Sequence, residues 1–423
     1  MSGALAGVRV IELAHERTSF AGKLLADMGA DVIVVEPPGG HATRAYDPFL
    51  EDRPGAERSL YWWHYNTSKR GVTARMDAPR GRELVARLAA GADVLLEGED
   101  PGQLVSLGID LAALRAGNER LISVSITPFG PSGPRSAEQA TDLTLLASGG
   151  PVWSCGYDDH SLPPVRGGGN QAFHTGAHYA VISLLVALLA REESGRGQHV
   201  DVNLHAAANV TTEAGSYHYL VDQSIVQRQT GRHAMPMAGP PSQARCADGR
   251  HANTGVGLRS PRDYAALAEW LDSAGLAEDF PSMDALREAA ARDSIDAMRA
   301  RNDPELRHLI QAGRAALTFL SEQLPAYELF VGAQQRGIPI GVIYSPEEAL
   351  DDPHHRARGF AVQVEHEELG RTYTYPGAPY RFDRTAWKIQ RRAPHVGEHN
   401  AEVWGSLGVS DEELDTLREQ GVV

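Results

Sequence analysis

Hydrophobic residues in the first 130 positions form short β-branched runs that alternate with longer stretches of mixed polarity. Residues Val8–Leu13 predict a strand, residues 19–28 a helix closed by Gly29, and Val32–Val35 a second strand. The pattern recurs as helix 82–90, strand Val94–Leu96, helix Leu111–Arg115 and strand Leu121–Ile126. Strands that alternate with helices indicate an α/β fold with a mostly parallel sheet covered on both faces.

The later part of the chain predicts a domain inserted into this fold. Residues 177–190 predict a buried helix that is too short to cross a bilayer, and Val200–Val202 follow as a strand. Residues 226–330 are more polar and rich in helical pattern, which predicts a smaller α+β domain with its linkers. We therefore expect a Rossmann-like large domain made of residues 1–225 and 331–423.

Length, composition and charge limit the classes of function. A chain of 423 residues exceeds one ordinary core, and 42% hydrophobic with 22% charged residues is typical of a soluble protein. The net charge of −15 argues against a nucleic-acid partner, because phosphate binding requires a basic surface. The first ten residues lack the pattern of a secretory signal, so we expect a cytoplasmic protein without a membrane partner.

Generic active-site motifs do not explain the chain. Residues 14–19, which follow the first predicted strand, contain no glycine-rich dinucleotide fingerprint. His174 and His178 are one helical turn apart, but no carboxylate accompanies them at a spacing that would complete a metal site. We therefore predict no metal. The aromatic run Tyr61–Tyr65 has two interpretations, the wall of an aromatic substrate pocket or core packing.

Several sequence blocks, in a fixed order from residue 5 to the C-terminus, resemble the family III CoA-transferases (the CaiB/BaiF family). The blocks are Leu5–Leu13, Leu25–Val32, Val35–Pro37, Asn66–Arg70, Gly195–Val202, Asp352–His354 with Ala357–Gly359, and Arg392–Asn400. The resemblance implies a Rossmann-like domain with an inserted domain, and two ring-like chains interlocked as a dimer. It also implies transfer of CoA from a thioester to a carboxylic acid through an attacking aspartate.

The resemblance places that aspartate four residues before the glycine that opens the long helix. Here the glycine is Gly176 and the fourth residue before it is Ala172. A methyl group cannot attack a thioester, and loss of such a nucleophile commonly costs on the order of 10⁴ to 10⁶ in rate. Some family members, such as benzylsuccinate CoA-transferase, pair two different chains of which one lacks the aspartate.

The positions that bind CoA in the family also depart from its pattern. Residues 98–102 read Gly-Glu-Asp-Pro-Gly, which places two acids where the resemblance puts CoA. The remaining candidate anchors for CoA or acyl-CoA are His15, Arg44, Lys69 and Arg70. CoA carries about four negative charges, and each lost charge-assisted hydrogen bond is worth roughly 1.5–3 kcal/mol. We therefore expect a weakened CoA site.

These observations predict the non-nucleophilic subunit of a heteromeric family III CoA-transferase. A homologous partner chain would supply the aspartate, and the aromatic run Tyr61–Tyr65 would suit an aromatic acid substrate. Two alternatives remain open. The chain could be an acyl-CoA lyase or isomerase that uses Glu16, His174 and Asp142 as acid and base, or it could be a non-enzymatic binding protein on the same fold.

Overall fold

The chain forms two compact units, each assembled from distant segments of the sequence. The computed structural model describes residues 3–255, 257–258, 260–296 and 299–423. The first unit comprises Met1–Pro151, Arg166–Glu213 and Leu350–Val423, and the second comprises Val152–Val165 and Ala214–Ala349. The predicted insertion, 226–330, lies within the second unit.

A six-stranded parallel sheet forms the centre of the first unit. Its strands are β1 (Arg9–Leu13), β2 (Asp31–Glu36), β3 (Arg70–Thr73), β4 (Val94–Glu97), β5 (Ile122–Thr127) and β6 (His199–Asn203). They lie in the order β3-β2-β1-β4-β5-β6 with every pair parallel. Strands β1, β2, β4 and β5 are almost completely buried, as expected for a sheet covered on both faces. The predicted α/β class is confirmed.

Helices connect these strands and continue into the second unit. In chain order they are α1 (Ser19–Asp27), α2 (Leu60–Tyr65), α3 (Pro79–Ala90), α4 (Gln103–Ser106), α5 (Leu111–Gly117), α6 (Asp142–Gly149), α7 (Gln171–Ser194), α8 (Leu204–Val210) and α9 (Glu213–Asp222). The second unit contains α10 (Pro261–Ser273), α11 (Met283–Ala291), α12 (Pro304–Gln323) and α13 (Ala326–Gln335). The chain then forms α14 (Pro346–Asp351), α15 (Pro353–Arg358), α16 (Asn400–Ser406) and α17 (Asp411–Glu419).

Short antiparallel strands complete both units. The second unit has a hairpin of β7 (Gln227–Gln229) and β8 (Arg232–Met235), and a sheet of β9 (Gln243–Arg245), β10 (His251–Asn253) and β11 (Gly341–Val342). In the first unit, β12 (Ala361–His366) pairs with β13 (Arg371–Pro376). Helices α10 to α13 and β10 enclose a separate core, which includes Tyr264, Leu309 and Leu317.

The second unit extends beyond the predicted 226–330 at both ends. At its start, the indole N–H of Trp153 donates to the carbonyl of Val226 (2.9 Å), which attaches residues 152–165 to this unit. At its end, β11 pairs with β10, so the chain returns to the first unit at Leu350 rather than at residue 331. Both additions depend on contacts between segments that are far apart in the sequence.

Helix α7 is a core helix of the first unit and is longer than the predicted 177–190. It contacts β5, β6, α1, α6 and α8. A Cβ atom at Gly176 would lie 2.1 Å from Leu204 Cδ2, so only glycine permits this approach of α7 to α8. Of the described helices, only α7 is long and apolar enough to cross a membrane. Its buried face packs on the sheet, and buried Arg191 near its end pairs with Asp93 (2.9 Å).

Candidate active-site crevice

The order of the parallel strands reverses between β1 and β4, and ligands of doubly wound sheets bind at such a point. The loops that follow these strands, residues 14–18 and 98–102, border a crevice at the carboxyl edge of the sheet. The guanidinium of Arg17 joins them, because its Nη1 donates to the Gly98 carbonyl and to Asp100 Oδ1, each at 2.8 Å. The sequence analysis missed Arg17 as a site residue.

His15 is the one predicted CoA anchor that lines this crevice. Its Nδ1 accepts a hydrogen bond from the backbone N–H of Arg17 (3.1 Å). Burial, with nearby Arg17 and His41, lowers the pKa of His15 to about 3, so the imidazole is uncharged at neutral pH. A Cβ at Gly98 would lie 3.0 Å from the His15 ring, which shows how closely the two loops approach. His15 therefore offers a hydrogen bond but no positive charge.

Acidic side chains dominate the rest of the crevice. Glu97 ends β4, and Glu99 and Asp100 follow it. Burial raises the pKa of both Glu97 and Glu99. Arg17 is itself paired with Asp100. Because phosphates bind best to unpaired cations, these acids make the crevice unfavourable for a strongly anionic ligand.

Arg44, a second predicted anchor, is a structural residue. It forms a bidentate ion pair with Glu36, with Nε–Oε2 and Nη2–Oε1 distances of 2.7 Å. Its other donors bind the Pro394 carbonyl and Glu57, and its guanidinium lies 3.8 Å above the Trp62 ring. All of its polar hydrogens point to partners within the chain, so Arg44 has none left for CoA.

Lys69 and Arg70, the remaining predicted anchors, are both held in ion pairs within the chain. Lys69 is fully buried and binds Glu12 Oε2 at 2.7 Å, and Arg70, at the amino end of β3, pairs with Asp31 and Glu402. The sequence indicated their charge but not their partners, which come from other elements. Both cations are therefore engaged by acids of the chain itself.

The resemblance assigns the family's nucleophile to the position of Ala172, which is buried in the first turn of α7. The backbone N–H of Ala172 donates to Asp142 Oδ1 (2.8 Å), and that of Phe173 reaches the same oxygen at 3.3 Å. The other carboxylate oxygen of Asp142 pairs with Arg166 Nη1 (2.8 Å). Asp142 thus satisfies free N–H groups at the start of α7, where the helix dipole favours a negative charge.

A row of aromatic hydroxyls connects the remaining predicted acid–base residues. Glu16 Oε2 accepts from the Tyr46 hydroxyl (3.1 Å), and the Tyr46 ring contacts Tyr61, which contacts Tyr65. The Tyr65 hydroxyl is 2.7 Å from His174 Nε2. Burial, followed by the proximity of His178, lowers the pKa of His174. The row therefore has Glu16 at one end and His174 at the other.

The residues of the aromatic run Tyr61–Tyr65 face different sides of α2. Trp62 and Trp63 are buried against residues of the C-terminal segment, including Val364 and Tyr375. Tyr61 and Tyr65 face α7, and the Asn170 amide is 3.4 Å from each of their hydroxyls. The tyrosines are thus placed beside the nucleophile position.

Comparison with known proteins identifies the family. The family model for CoA-transferase family III matches residues 5–400. The chain is 30% identical to the succinyl-CoA:(R)-benzylsuccinate CoA-transferase subunit BbsE of Thauera aromatica, over 98% of this chain and 97% of that protein. It is also 30% identical to a formyl-CoA:oxalate CoA-transferase of Streptomyces avermitilis over the full length of both.

A solved structure supports the same assignment. The CaiB/BaiF family protein of Brucella suis superposes with a TM-score of 0.77 and 28% identity, covering 96% of this chain and all of that one. The parallel sheet, the long helix α7 and the match to the family model over almost the whole chain agree. This chain belongs to CoA-transferase family III.

Proposed function

We propose that this chain is the non-nucleophilic subunit of a family III CoA-transferase whose attacking aspartate comes from a homologous partner chain. The observation that carries the proposal is the buried methyl group of Ala172 at the nucleophile position, beside an Asp142 that is bound to Arg166 and to α7. The relative from Thauera aromatica is itself a subunit of a CoA-transferase, and so is the malate-specific beta subunit from Chloroflexus aurantiacus.

In this scheme the partner performs the covalent steps. Its carboxylate attacks the acyl-CoA carbonyl, the C–S bond breaks and CoA leaves as thiolate. The thiolate then attacks the aspartyl carbonyl of the anhydride, which releases the donor acid and forms an enzyme thioester. The acceptor carboxylate repeats the two steps in reverse order, so CoA moves to it and the aspartate is regenerated. Acyl-CoA is thus a substrate, and no metal enters the reaction.

An apolar stripe along α7 supports a protein partner. Tyr179, Ile182, Val186 and Leu189 are 46%, 58%, 59% and 70% exposed. Their spacing of three or four residues places them on one face of the helix. An exposed stripe of this kind favours association with another chain. We propose that the homologous subunit covers it in a family-type interlocked dimer, in the cytoplasm.

The decisive experiment is coexpression of this chain with a homologue from the same genome that carries aspartate at the position of Ala172. We expect a stoichiometric complex that exchanges CoA and neither chain active alone. Changing the partner's aspartate to alanine should lower the rate on the order of 10⁴-fold. Ala172→Ser is the matched control and should leave the rate of the complex unchanged. CoA transfer by this chain alone would contradict the proposal.

One observation favours a second candidate, an acyl-CoA lyase or isomerase. Glu16 is half-buried at the crevice, and its carboxylate accepts a hydrogen bond from the Tyr46 hydroxyl instead of pairing with a cation. A general base needs a carboxylate that is able to take up a proton. Of its suggested acids, His174 remains accessible to the tyrosine row, whereas Asp142 is already held by Arg166. Loss of a pH-dependent activity of the lone chain in Glu16→Gln would support this candidate.

A further inference from the structure

A largely apolar cavity of about 490 Å³ opens between α1, α7 and residues 376–387 of the first unit. Its apolar walls include Phe20, Leu24, Val181, Leu185, Phe382 and Trp387. This size and composition are typical of sites for small organic ligands. The loops that border the crevice, residues 14–18 and 98–102, do not line this cavity. His174 does line it and connects it to the tyrosine row.

The polar side chains that line the cavity are His64, His174, His178, Lys23 and Asp27. Among the described residues, His64 and His178 have no hydrogen-bond partner, although each contacts an aromatic ring. Burial, with Lys23 and His174 nearby, lowers the pKa of His64 to about 4, so this ring is neutral and can donate one hydrogen bond and accept another. Lys23 also lines the cavity, but its Nζ is occupied by Asp27 (2.7 Å) and Thr67 (2.6 Å).

A second cavity, of about 510 Å³, shares Ala378, Tyr380, Phe382 and Trp387 with the first. It is also lined by Arg358, Arg381 and Lys388. Within the described part of the chain none of these three cations forms an ion pair, whereas most arginines near the sheet do. Three unpaired cations around one cavity, in a chain with a net charge of −15, mark a local site for an anion.

We propose that the two adjoining cavities bind one hydrophobic organic anion. An aryl or branched alkyl group would lie in the apolar cavity beside His64 and His178. The negative charge, which is the carboxylate of a free acid or the phosphates of a CoA thioester, would face Arg358, Arg381 and Lys388. This chemistry is shared by a free carboxylic acid and by its CoA thioester. The inference rests on the proposed function only in taking an acyl group as the ligand.

Binding to the full-length chain tests the proposal without any turnover, so its outcome is independent of the proposed transferase role. The probes are 3-phenylpropanoate, its CoA thioester and its neutral amide, with succinate as the polar acid, measured by calorimetry and by Trp387 fluorescence. We expect saturation below about 1 mM by the acid or the thioester, and binding about tenfold weaker for succinate and for the amide. Whichever of the acid and the CoA thioester binds with the lower Kd identifies the form in which the acyl group is bound.

Two variants locate the site. Leu24→Trp fills the apolar cavity and should weaken binding about tenfold or more, whereas Val105→Trp, an exposed position in α4, should bind as the unaltered chain does. Arg381→Ala with Lys388→Ala should remove the preference for the acid over its amide. Circular dichroism melts establish that each variant folds.

Three results would overturn the proposal. One is the failure of both the acid and the thioester to saturate below about 1 mM. Another is equal affinity of folded Leu24→Trp and the unaltered chain. The last is binding by the lone chain that disappears when the partner subunit is added, because the cavity would then be the place where the partner docks.

Discussion

At the residue scale, the surroundings of Ala172 are built for a neutral side chain. Its methyl group is buried, and the Asp142 carboxylate already occupies the adjacent N–H groups. In Ala172→Asp, burial and the like charge of Asp142 should raise the pKa of the new carboxyl. A raised pKa of about two units corresponds to a loss of on the order of 3 kcal/mol in the free energy of unfolding at neutral pH.

Ala172→Asn is the control, because it has the same shape as aspartate without the charge. The difference in unfolding free energy between the two variants should vanish below about pH 4, where unfolded aspartate is protonated. It should grow as the pH rises toward the pKa of the folded state. Urea unfolding at several pH values measures this, and a difference that does not depend on pH would show that the carboxyl is not charged or not buried there.

Asp142 carries the second prediction at this scale. Asp142→Asn removes the ion pair with Arg166 and weakens the acceptor for the first turn of α7, so we expect a loss of about 1–3 kcal/mol in the free energy of unfolding. Asp110→Asn is the matched control, since Asp110 caps α5 at an exposed site and asparagine caps helices equally well. Equal losses of unfolding free energy in the two variants would show that the contacts of Asp142 with Arg166 and α7 contribute no more than an exposed helix cap.

The sequence predicted some of these residues better than others, for a physical reason. Ala172 was found because its distance from Gly176 along one helix is fixed. Arg17 was missed because its partner Asp100 lies 83 positions later, on another loop. Lys69 was interpreted as an anchor, and its charge does not reveal that its counter-ion Glu12 lies on β1. Long-range pairing decides whether a cation is free.

At the element scale, the loops after β1 and β2 should make the protein sensitive to acid. Burial lowers the pKa of His15 to about 3 and that of His41 to about 4, both below their value in an unfolded chain. The unfolded chain therefore takes up more protons as the pH falls below about 6.5. We expect full stability above pH 6.5 and a decreasing melting temperature between pH 6.5 and 4.

A double variant tests this origin. In His15→Asn with His41→Asn, the amide oxygens keep the acceptors for Arg17 and Thr43 but cannot titrate in this range. The melting temperature should then fall less steeply between pH 6.5 and 4. His354→Asn, at an exposed histidine, is the control and should keep the slope of the unaltered chain. An unchanged slope in the double variant would assign the effect to other groups.

The stripe on α7 leads to a prediction about assembly. Val186→Lys with Leu189→Lys places two charges on the proposed interface, away from the residues that line the apolar cavity, and we expect association with the partner subunit to weaken by about 100-fold or more. Both positions are more than half exposed, so the melting temperature of the lone chain should not change. Val105→Lys, also exposed but on α4, is the control. Native mass spectrometry of mixed subunits measures the complex, and full assembly of the double variant would place the interface elsewhere.

Elements with a clear apolar run were predicted well, and β3, which has none, was missed. Helix α1 begins at the predicted residue, and β4 and β5 differ from their predicted bounds by one residue at some ends. Strand β3 was missed because Val72 is the only large apolar residue among its four. It is a strand because it pairs with β2, and no local pattern reports such pairing.

At the scale of the whole molecule, the first unit is closed by the end of the chain. Trp404 in α16 is fully buried in a core with Ile11 and Val35, and Asn400 binds both the backbone and the hydroxyl of Thr73 in β3. The sequence predicted that the C-terminal segment returns to the large domain, because its motif blocks resemble those of the family. It could not predict the residue at which the return begins, since that depends on the pairing of β11.

This closure predicts a large cost for one distant substitution. Trp404→Ala should lower the free energy of unfolding of the first unit by about 3–5 kcal/mol, because the cavity opens against β1 to β3, which are more than 300 positions earlier in the chain. Trp387→Ala, a half-buried tryptophan of the same unit, is the control and should cost much less. Hydrogen exchange separates the two cases, since faster exchange of the β3 amides is expected only in Trp404→Ala. If β3 stays protected there, the C-terminal helices only cover a sheet that is stable without them.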